Sequence, residues 1–132
     1  MRLDDNQIHM KSDVLAWSEP IIGDRIVEAY FACLGDNEAQ VRPVARQHIR
    51  LWRAILSGEK RVASEARGDL LRLAAIARLG VEAVDSIDRL VLDELIDVLS
   101  SWLQRSPSAA RAYSRIMIEA ATTLTEARYA AA

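Results

Sequence analysis

The stretch VEAVDSIDRLVLDELIDVLSSWL, Val81 to Leu103, decides the fold predicted for this chain. At the helical period of 3.6 residues its apolar side chains form two neighbouring stripes. The first stripe consists of Val84, Ile87, Val91, Leu95, Val98 and Trp102, and the second consists of Leu92, Ile96, Leu99 and Leu103. Together they cover roughly half of the helix circumference, more than the roughly 100° that a surface helix needs. One domain core buries one stripe, so the other predicts contact with a further helix or a second subunit.

The composition around this stretch is that of one helical globular domain. The chain has 132 residues, of which 51% are hydrophobic and 27% charged, with 5% aromatic residues, three prolines and five glycines. A net charge of -2 gives no general reason to expect nucleic acid or an acidic membrane as partner. Cys33 is the only cysteine, which favours a reducing compartment. The opening residues lack the apolar core of a secretory signal, and no window is apolar enough to cross a bilayer. We therefore expect a cytoplasmic location without membrane insertion.

Outward from Val81 to Leu103, helical periodicity predicts an all-α fold of six or so helices, the last two long. No stretch shows the period-two alternation of a strand. The predicted helices are a short one ending before Ser18, one from Pro20 to Leu34, then Pro43–Leu56, Val62–Leu79 (bent or interrupted at Gly68 and closed by Gly80), Val81–Leu103 and Ala109–Arg128. Gly35 is a candidate C-terminal cap for the second of these, and Ser57-Gly58 is expected to end the third. The final ARYAAA carries no stop signal. Residues 1–132 are thus expected to be a single domain, either with a frayed end or cut from a longer signalling protein.

Four short segments resemble a known protein family in their order along the chain. They are LDDNQI followed by Trp17 and Glu19-Pro20, then Tyr30-Phe31, LWRAILSG (51–58) and AIARLGV (75–81). In residue type and spacing they resemble globin-coupled sensor domains, the globin-fold input modules found ahead of bacterial chemoreceptors, kinases and cyclases. The resemblance spans nearly the whole chain and implies a globin-like sensor fold.

The resemblance also implies where haem would bind, and the sequence departs from the family there. Haem-binding members have a proximal histidine four residues before the glycine that corresponds to Gly80, and that position is Ile76. Val62 to Leu79 contains no histidine, cysteine or methionine, and globin iron needs a strong axial donor. Phe31 occupies the position at which family members frequently have a distal tyrosine. Phenylalanine cannot donate a hydrogen bond to bound oxygen. The prediction is a haem-free member with no cofactor; a haem protein with an unusual axial ligand is the alternative.

The chain has two histidines, His9 and His48. His48 shares a helical face with Val44, Leu51 and Ile55, so it could point into a pocket as a distal ligand. The alternative is a histidine at the edge of the core, hydrogen-bonded to backbone or water, because one imidazole lacks the convergent donors of a metal site. We expect His48 to lie at the edge of the core and to bind no metal. We expect His9 to lie on the surface.

Two charged patterns could carry function. Arg42, Arg46, Arg50 and Arg53 form a basic stripe, interpreted either as an anion or nucleic-acid patch or as a solvated face paired with carboxylates. The solvated face is favoured, because no stacking aromatics or recognition motif accompany the stripe. The acidic residues of the central helix, Asp85, Asp88, Asp93, Glu94 and Asp97, are interpreted as structural, since no nucleophile or metal-binding histidine accompanies them. No catalysis is expected.

Two apolar groups complete the predicted sites. The family resemblance places one group around the space that haem occupies, and it consists of Phe31, Trp52, Ile55, Ile76, Leu79 and Leu95. These side chains either fill the core or leave a pocket for a small apolar ligand. A filled core is the default, because a cavity costs roughly 24 cal/mol per Å3. In the family the last two helices pair with those of a second subunit. The predicted homodimer interface is Leu92, Ile96, Leu99, Leu103, Ala120 and Leu124.

The sequence therefore predicts a regulatory input domain, dimeric through its last two helices, that signals to an output domain or partner protein. The rival hypotheses are a haem-based gas sensor and a purely structural helical scaffold. The alternative to the dimer is that another segment of the same chain covers the second stripe.

Overall fold

The computed structural model describes the backbone of residues 5–105 and 107–131, and the side chains of 19–98, 100, 101, 104, 107, 108, 111 and 113–126. This part of the chain is all-α. It forms five helices, with no strand among the described residues: α1 (Asp5–Leu34), α2 (Glu38–Ser57), α3 (Lys60–Ile76), α4 (Val81–Arg105) and α5 (Pro107–Ala131).

The predicted break between two N-terminal helices is wrong, because α1 runs without interruption through Pro20. A proline inside a helix removes one backbone hydrogen bond and its ring crowds the preceding turn. Pro20 itself is exposed. Beyond it, Ile22, Ile26 and Tyr30 recur at helical spacing and are all buried, which holds the second half of α1 against the core.

The ends of α1 and α2 follow their glycines as predicted. Gly35 has a φ of 69°, and its amide donates to the carbonyl of Phe31 at 2.8 Å. Gly58 has a φ of 73° and its amide bonds the carbonyl of Ile55 at 3.1 Å. Both occupy the left-handed region that closes helices and that side chains disfavour. At its other end α2 begins at Glu38, earlier than the predicted start at Pro43.

The end of α3 differs from the prediction. The helix passes through Gly68 and stops at Ile76, three residues before the predicted end. Arg78, and not Gly80, takes the left-handed conformation, with a φ of 63°. The amide of Leu79 then donates to the carbonyl of Ala74 at 2.7 Å, which closes the last turn.

The long helices α4 and α5 lie side by side and supply much of the core. The first apolar stripe of α4 is buried as predicted over its described side chains, from Val84 to Val98. On α5, Tyr113 and Ile116 are buried, and Met117 packs against the core from a half-buried position. Helix α2 packs between α1 and α3, and α5 contacts all four other helices. The inner face of α2 therefore lies at the centre of the bundle.

Candidate functional site

A group of five buried polar or aromatic side chains lies where α1, α2, α3 and α4 meet. We call it the polar cluster, and it consists of Tyr30, His48, Trp52, Arg67 and Asp88. Four of the five are completely buried, and Arg67 is 4% exposed. Buried polar groups are costly unless they are hydrogen-bonded, so the contacts of each member decide whether the cluster stabilises the fold.

Helical spacing brings these side chains together. Tyr30 lies about one turn from the end of α1 and closes the buried stripe of that helix. His48 and Trp52 are four residues apart, which places both on the inner face of α2. Arg67 follows Ala63 on the buried side of α3, and Asp88 projects from the second turn of α4.

Asp88 is the common acceptor of the cluster. Its Oδ1 accepts a hydrogen bond from Trp52 Nε1 at 2.8 Å and lies 2.7 Å from His48 Nε2. An indole nitrogen only donates, and a carboxylate only accepts. The proton between His48 and Asp88 is therefore assigned to Nε2 of the histidine, with Asp88 ionised.

The other ring nitrogen of His48 is also bonded. Nδ1 lies 2.6 Å from the hydroxyl oxygen of Tyr30, and the rings of these residues are tilted by 59°. Burial, followed by the negative charge of Asp88, raises the pKa of Tyr30 far above its ordinary value near 10. Tyr30 therefore keeps its proton, and its hydroxyl is hydrogen-bonded to Nδ1 of His48. The chain of bonds runs from Tyr30 through His48 to Asp88.

Arg67 balances the buried carboxylate. Its Nη1 lies 3.6 Å from Asp88 Oδ2, an ion pair that is too long for a good hydrogen bond, and its Nη2 donates to Asp85 Oδ1 at 3.2 Å. Within the described part of the chain, Nε and Nη1 of Arg67 have no hydrogen-bond partner. Opposite charges in a low-dielectric interior attract strongly, so Arg67 offsets part of the cost of burying Asp88.

This geometry favours holding helices in place over catalysis. A hydroxyl, an imidazole and a carboxylate in series are the elements of a proton relay. A catalytic relay needs a reacting atom that meets a substrate, whereas Tyr30, His48 and Asp88 are all completely buried. Each bond of the series instead joins a different pair of helices: α1 to α2, and α2 to α4.

The structure corrects the expected environment of His48. The imidazole lies at the centre of the bundle, and its partners are two side chains instead of backbone or water. Because both nitrogens are hydrogen-bonded, His48 has to give up one bond before it can bind iron. For the described residues, no group of three or more histidine, cysteine, aspartate or glutamate side chains is placed to hold a metal ion.

Sequence reasoning did not identify Tyr30, Arg67 or Asp88 as partners of His48. One signal was present: each of the two charged residues falls in an apolar register. Arg67 follows Ala63 by four residues and precedes Leu70 by three, and Asp88 lies four residues after Val84. A charge on the buried face of a helix needs a buried partner.

The predicted apolar group is only partly brought together. Trp52, Ile55 and Leu95 are buried in one core, and Phe31 and Leu79 pack against it from half-buried positions. Ile76 does not join them. It is the last residue of α3 and is 76% exposed, so its predicted inward position is wrong. Ala74 is buried and lies two residues earlier, about 200° around α3, so Ile76 falls on the outer face of the helix.

The predicted dimer residues also separate into three sets. Ala120 and Leu124 are buried in the core of the chain itself, which removes their side chains from any surface and corrects their assignment to an interface. Ile96 is 51% exposed and Leu92 packs half-buried against the core. Leu99 and Leu103 lie outside the described side chains.

The four arginines of α2 line a groove on the surface between α1 and α2, with a volume of about 620 Å3. Two of them pair with carboxylates, as expected for a solvated face: Arg53 with Glu19, and Arg50 with Asp69 at 3.5 Å. Arg42 and Arg46 are exposed and form no ion pair with any described side chain.

Comparison with known proteins gives no significant match: no family model, no curated protein and no solved structure is similar enough to assign the chain to a family. Across the described residues, no helix combines the length and the apolar character needed to span a membrane. The functional conclusion therefore depends on the polar cluster and the surfaces described above.

Proposed function

We propose that this chain is a non-enzymatic regulatory domain with a globin-like fold, which works without haem and signals through association of its last two helices. The observation that carries the proposal is the bonding of His48. The residue best placed to act as a distal ligand is held by Tyr30 on one nitrogen and by Asp88 on the other.

The proximal side supports the same proposal. Val62 to Leu79 supplies no histidine, cysteine or methionine, and Ile76, at the position of the family's proximal histidine, faces solvent. A haem iron placed here would need an axial donor from elsewhere. The globin-like fold itself rests on the sequence resemblance together with the all-α architecture.

The polar cluster suits a regulatory role because its bonds have discrete geometries. A shift of α4 against α2 breaks the contacts of Asp88 with His48 and Trp52 and leaves buried groups without partners. Elements held in this way favour two distinct arrangements over gradual deformation. A signal that displaces α4 would thus be passed on as a change at the surface of α4 and α5.

Apolar side chains on that surface support association. Ile96 on α4 is 51% exposed and Ile118 on α5 is 68% exposed. Burying such a side chain stabilises a contact by about 1.5–3 kcal/mol before the cost of association. The proposed homodimer interface therefore centres on Ile96, with Leu92 beside it.

The haem-free proposal is tested by adding haemin to the purified protein and recording the absorption near the Soret band. We expect no saturable spectral change. A sharp band at one equivalent, lost in His48→Ala and retained in His9→Ala, would instead establish the rival haem sensor, because His48 is the residue that this rival makes the axial ligand. The predicted surface position of His9 lies outside the described side chains.

Association is tested by sedimentation equilibrium of Ile96→Glu and of Leu90→Glu. Leu90 is 50% exposed, but it lies about 120° around α4 from Ile96, which makes it a matched control. We expect Ile96→Glu, and likewise Leu99→Glu on the same stripe, to yield monomers while Leu90→Glu stays associated. Unchanged association in all three variants would show that the stripe is covered within one chain.

A further inference from the structure

The groove between α1 and α2 combines an apolar floor with a basic wall, and we call it the arginine groove. Its floor consists of Val27, Phe31, Val41, Ala45 and Ile49, and its wall of Arg42, Arg46, Arg50 and Arg53. The apolar side chains come from both helices, while all four guanidinium groups come from α2. Glu38, at the start of α2, supplies the one carboxylate among the described lining residues.

Two of the four arginines, Arg42 and Arg46, form no ion pair with a described side chain and can therefore pair with a carboxylate of a partner. Asp69 and Glu19 already pair with Arg50 and Arg53. Arg42 and Arg46 are exposed and, in the described part of the chain, have no carboxylate within ion-pairing distance. The wall of the groove therefore carries an excess of positive charge, although the whole chain has a net charge of -2.

The spacing of the arginines selects an extended partner over a small anion. Arg42, Arg46 and Arg50 follow one another at intervals of four residues, a rise of about 6 Å each along the axis of α2. Guanidinium groups spread along a line in this way do not converge on one phosphate. Carboxylates at every fourth residue of another helix repeat at the same distance.

The apolar floor selects a protein over a nucleic acid. A phosphodiester chain meets the arginines but has no aliphatic groups for Val27, Val41 and Ile49, and base stacking requires a series of aromatic faces. Among the described residues that line the groove, Phe31 is the only aromatic one. An amphipathic helix presents carboxylates and aliphatic anchors on adjoining faces, which matches a basic wall beside an apolar floor.

We propose that the arginine groove binds an acidic amphipathic helix of a partner protein. The helix lies along α2, its carboxylates pair with Arg42 and Arg46, and its apolar side chains occupy the floor. This site is separate from the surface of α4 and α5, so it does not depend on the proposed homodimer or on the absence of haem.

The probe is a fluorescein-labelled helical peptide of about 18 residues, long enough to form helix on its own. It carries Glu at every fourth position and Leu three residues after each Glu, so that both types share one side. Fluorescence anisotropy is measured with the full chain at about 50 mM and about 300 mM salt. We expect saturable binding that weakens as salt screens the ion pairs.

Matched variants separate the groove from general charge. Arg42→Gln/Arg46→Gln removes the two unpaired arginines, and Arg61→Gln/Arg89→Gln removes two exposed arginines of α3 and α4 with the same change in net charge. We expect the Arg42/Arg46 variant to raise the Kd for the peptide about fivefold. The Arg61/Arg89 variant should leave the Kd within about twofold of the parent value. Circular dichroism checks that both variants keep the helical content of the parent.

Two altered peptides and an oligonucleotide complete the test. Replacing each Glu by Gln, or each Leu by Ser, should each abolish saturable binding, because the groove needs both features. The proposal is overturned if the acidic peptide does not bind, if both arginine pairs weaken it equally, or if the Leu→Ser peptide binds as well as its parent. It is also overturned if single-stranded oligothymidylate binds at the groove in place of the peptide.

Discussion

Asp88 shows how one side chain can organise the interior of a helical domain. Its carboxylate is completely buried, accepts from Trp52 and His48 of α2, and faces the guanidinium of Arg67 on α3. A buried ion pair adds little stability compared with apolar packing, but removing one of its partners leaves an uncompensated charge in the core. The structure is therefore far more sensitive to the loss of one member of the cluster than to loss of a surface charge.

Replacing Asp88 by Asn should lower the free energy of unfolding by about 3 kcal/mol. The amide oxygen can still accept from Trp52, but Arg67 loses its fully buried counter-charge and keeps its contact with the partly exposed Asp85. The measurement is urea denaturation followed by circular dichroism. Asp93→Asn, at an exposed position of the same helix, is the control and should change stability by less than about 0.5 kcal/mol. Equal effects of the two substitutions would contradict the role given to Asp88.

Tyr30 predicts a dependence of stability on alkaline pH. Its pKa is raised in the folded state, mainly by burial, relative to about 10 in the unfolded chain. The resulting stability is fully present below pH 10, and it is lost as the pH rises further because only the unfolded chain ionises readily. Wild type should therefore lose stability above pH 10 through this residue.

The variant Tyr30→Phe isolates that contribution. At pH 8 it should be less stable than wild type by about 1–2 kcal/mol, because Nδ1 of His48 loses its hydrogen-bond partner. Between pH 10 and pH 11 the difference should shrink, since phenylalanine does not ionise. Urea denaturation at about four pH values across the ordinary tyrosine pKa measures both effects. A constant difference at all of them would mean that Tyr30 ionises as easily in the fold as outside it.

At the scale of the elements, α3 and the turn that follows it contain two residues whose intrinsic preferences oppose their conformation. Gly68 lies inside the helix, where glycine costs entropy and fills no space. Arg78, just beyond the helix end, has a φ of 63°, a conformation that costs a residue with a Cβ roughly 1–2 kcal/mol. These two positions leave room for stabilising substitutions.

Gly68→Ala should raise the free energy of unfolding by about 0.5–1 kcal/mol. A Cβ built at Gly68 meets no atom within 4 Å, so the substitution adds helix propensity without a clash. Gly58→Ala is the matched control, and it should lower stability because a φ of 73° strains a residue with a Cβ. Thermal melts of the two variants compare the effects directly, and a lower melting temperature for Gly68→Ala would refute the account of α3.

At the scale of the whole molecule, the contacts cross between helices so widely that no helix stands alone. The polar cluster joins α1, α2, α3 and α4, and α5 packs against each of these. Unfolding should consequently be a single cooperative transition. Urea curves recorded by far-ultraviolet circular dichroism, for helix content, and by the near-ultraviolet aromatic signal, for packing, should coincide. Early loss of the aromatic signal would mean that the core loosens before the helices melt.

The sequence by itself determined the all-α class, the start of α4, the glycine ends of α1 and α2 and the buried stripe that includes Val91 and Leu95. These follow from local physics: the period of apolar residues and the backbone preferences of glycine. The same local rules predicted a break at Pro20, which was wrong because the buried stripe of α1 outweighs the loss of one backbone hydrogen bond.

Only the tertiary structure decided which side chains meet. Asp88 is 40 residues from His48 in sequence and 2.7 Å from it in space, and no helical period relates the two. Tertiary packing likewise put Ala120 and Leu124 inside and left Ile76 in solvent. Periodicity specifies the face of a helix on which a side chain lies. Which residues that face contacts depends on how the helices pack together. Burial strengthens a polar contact that is satisfied there and makes an unpaired polar group costly.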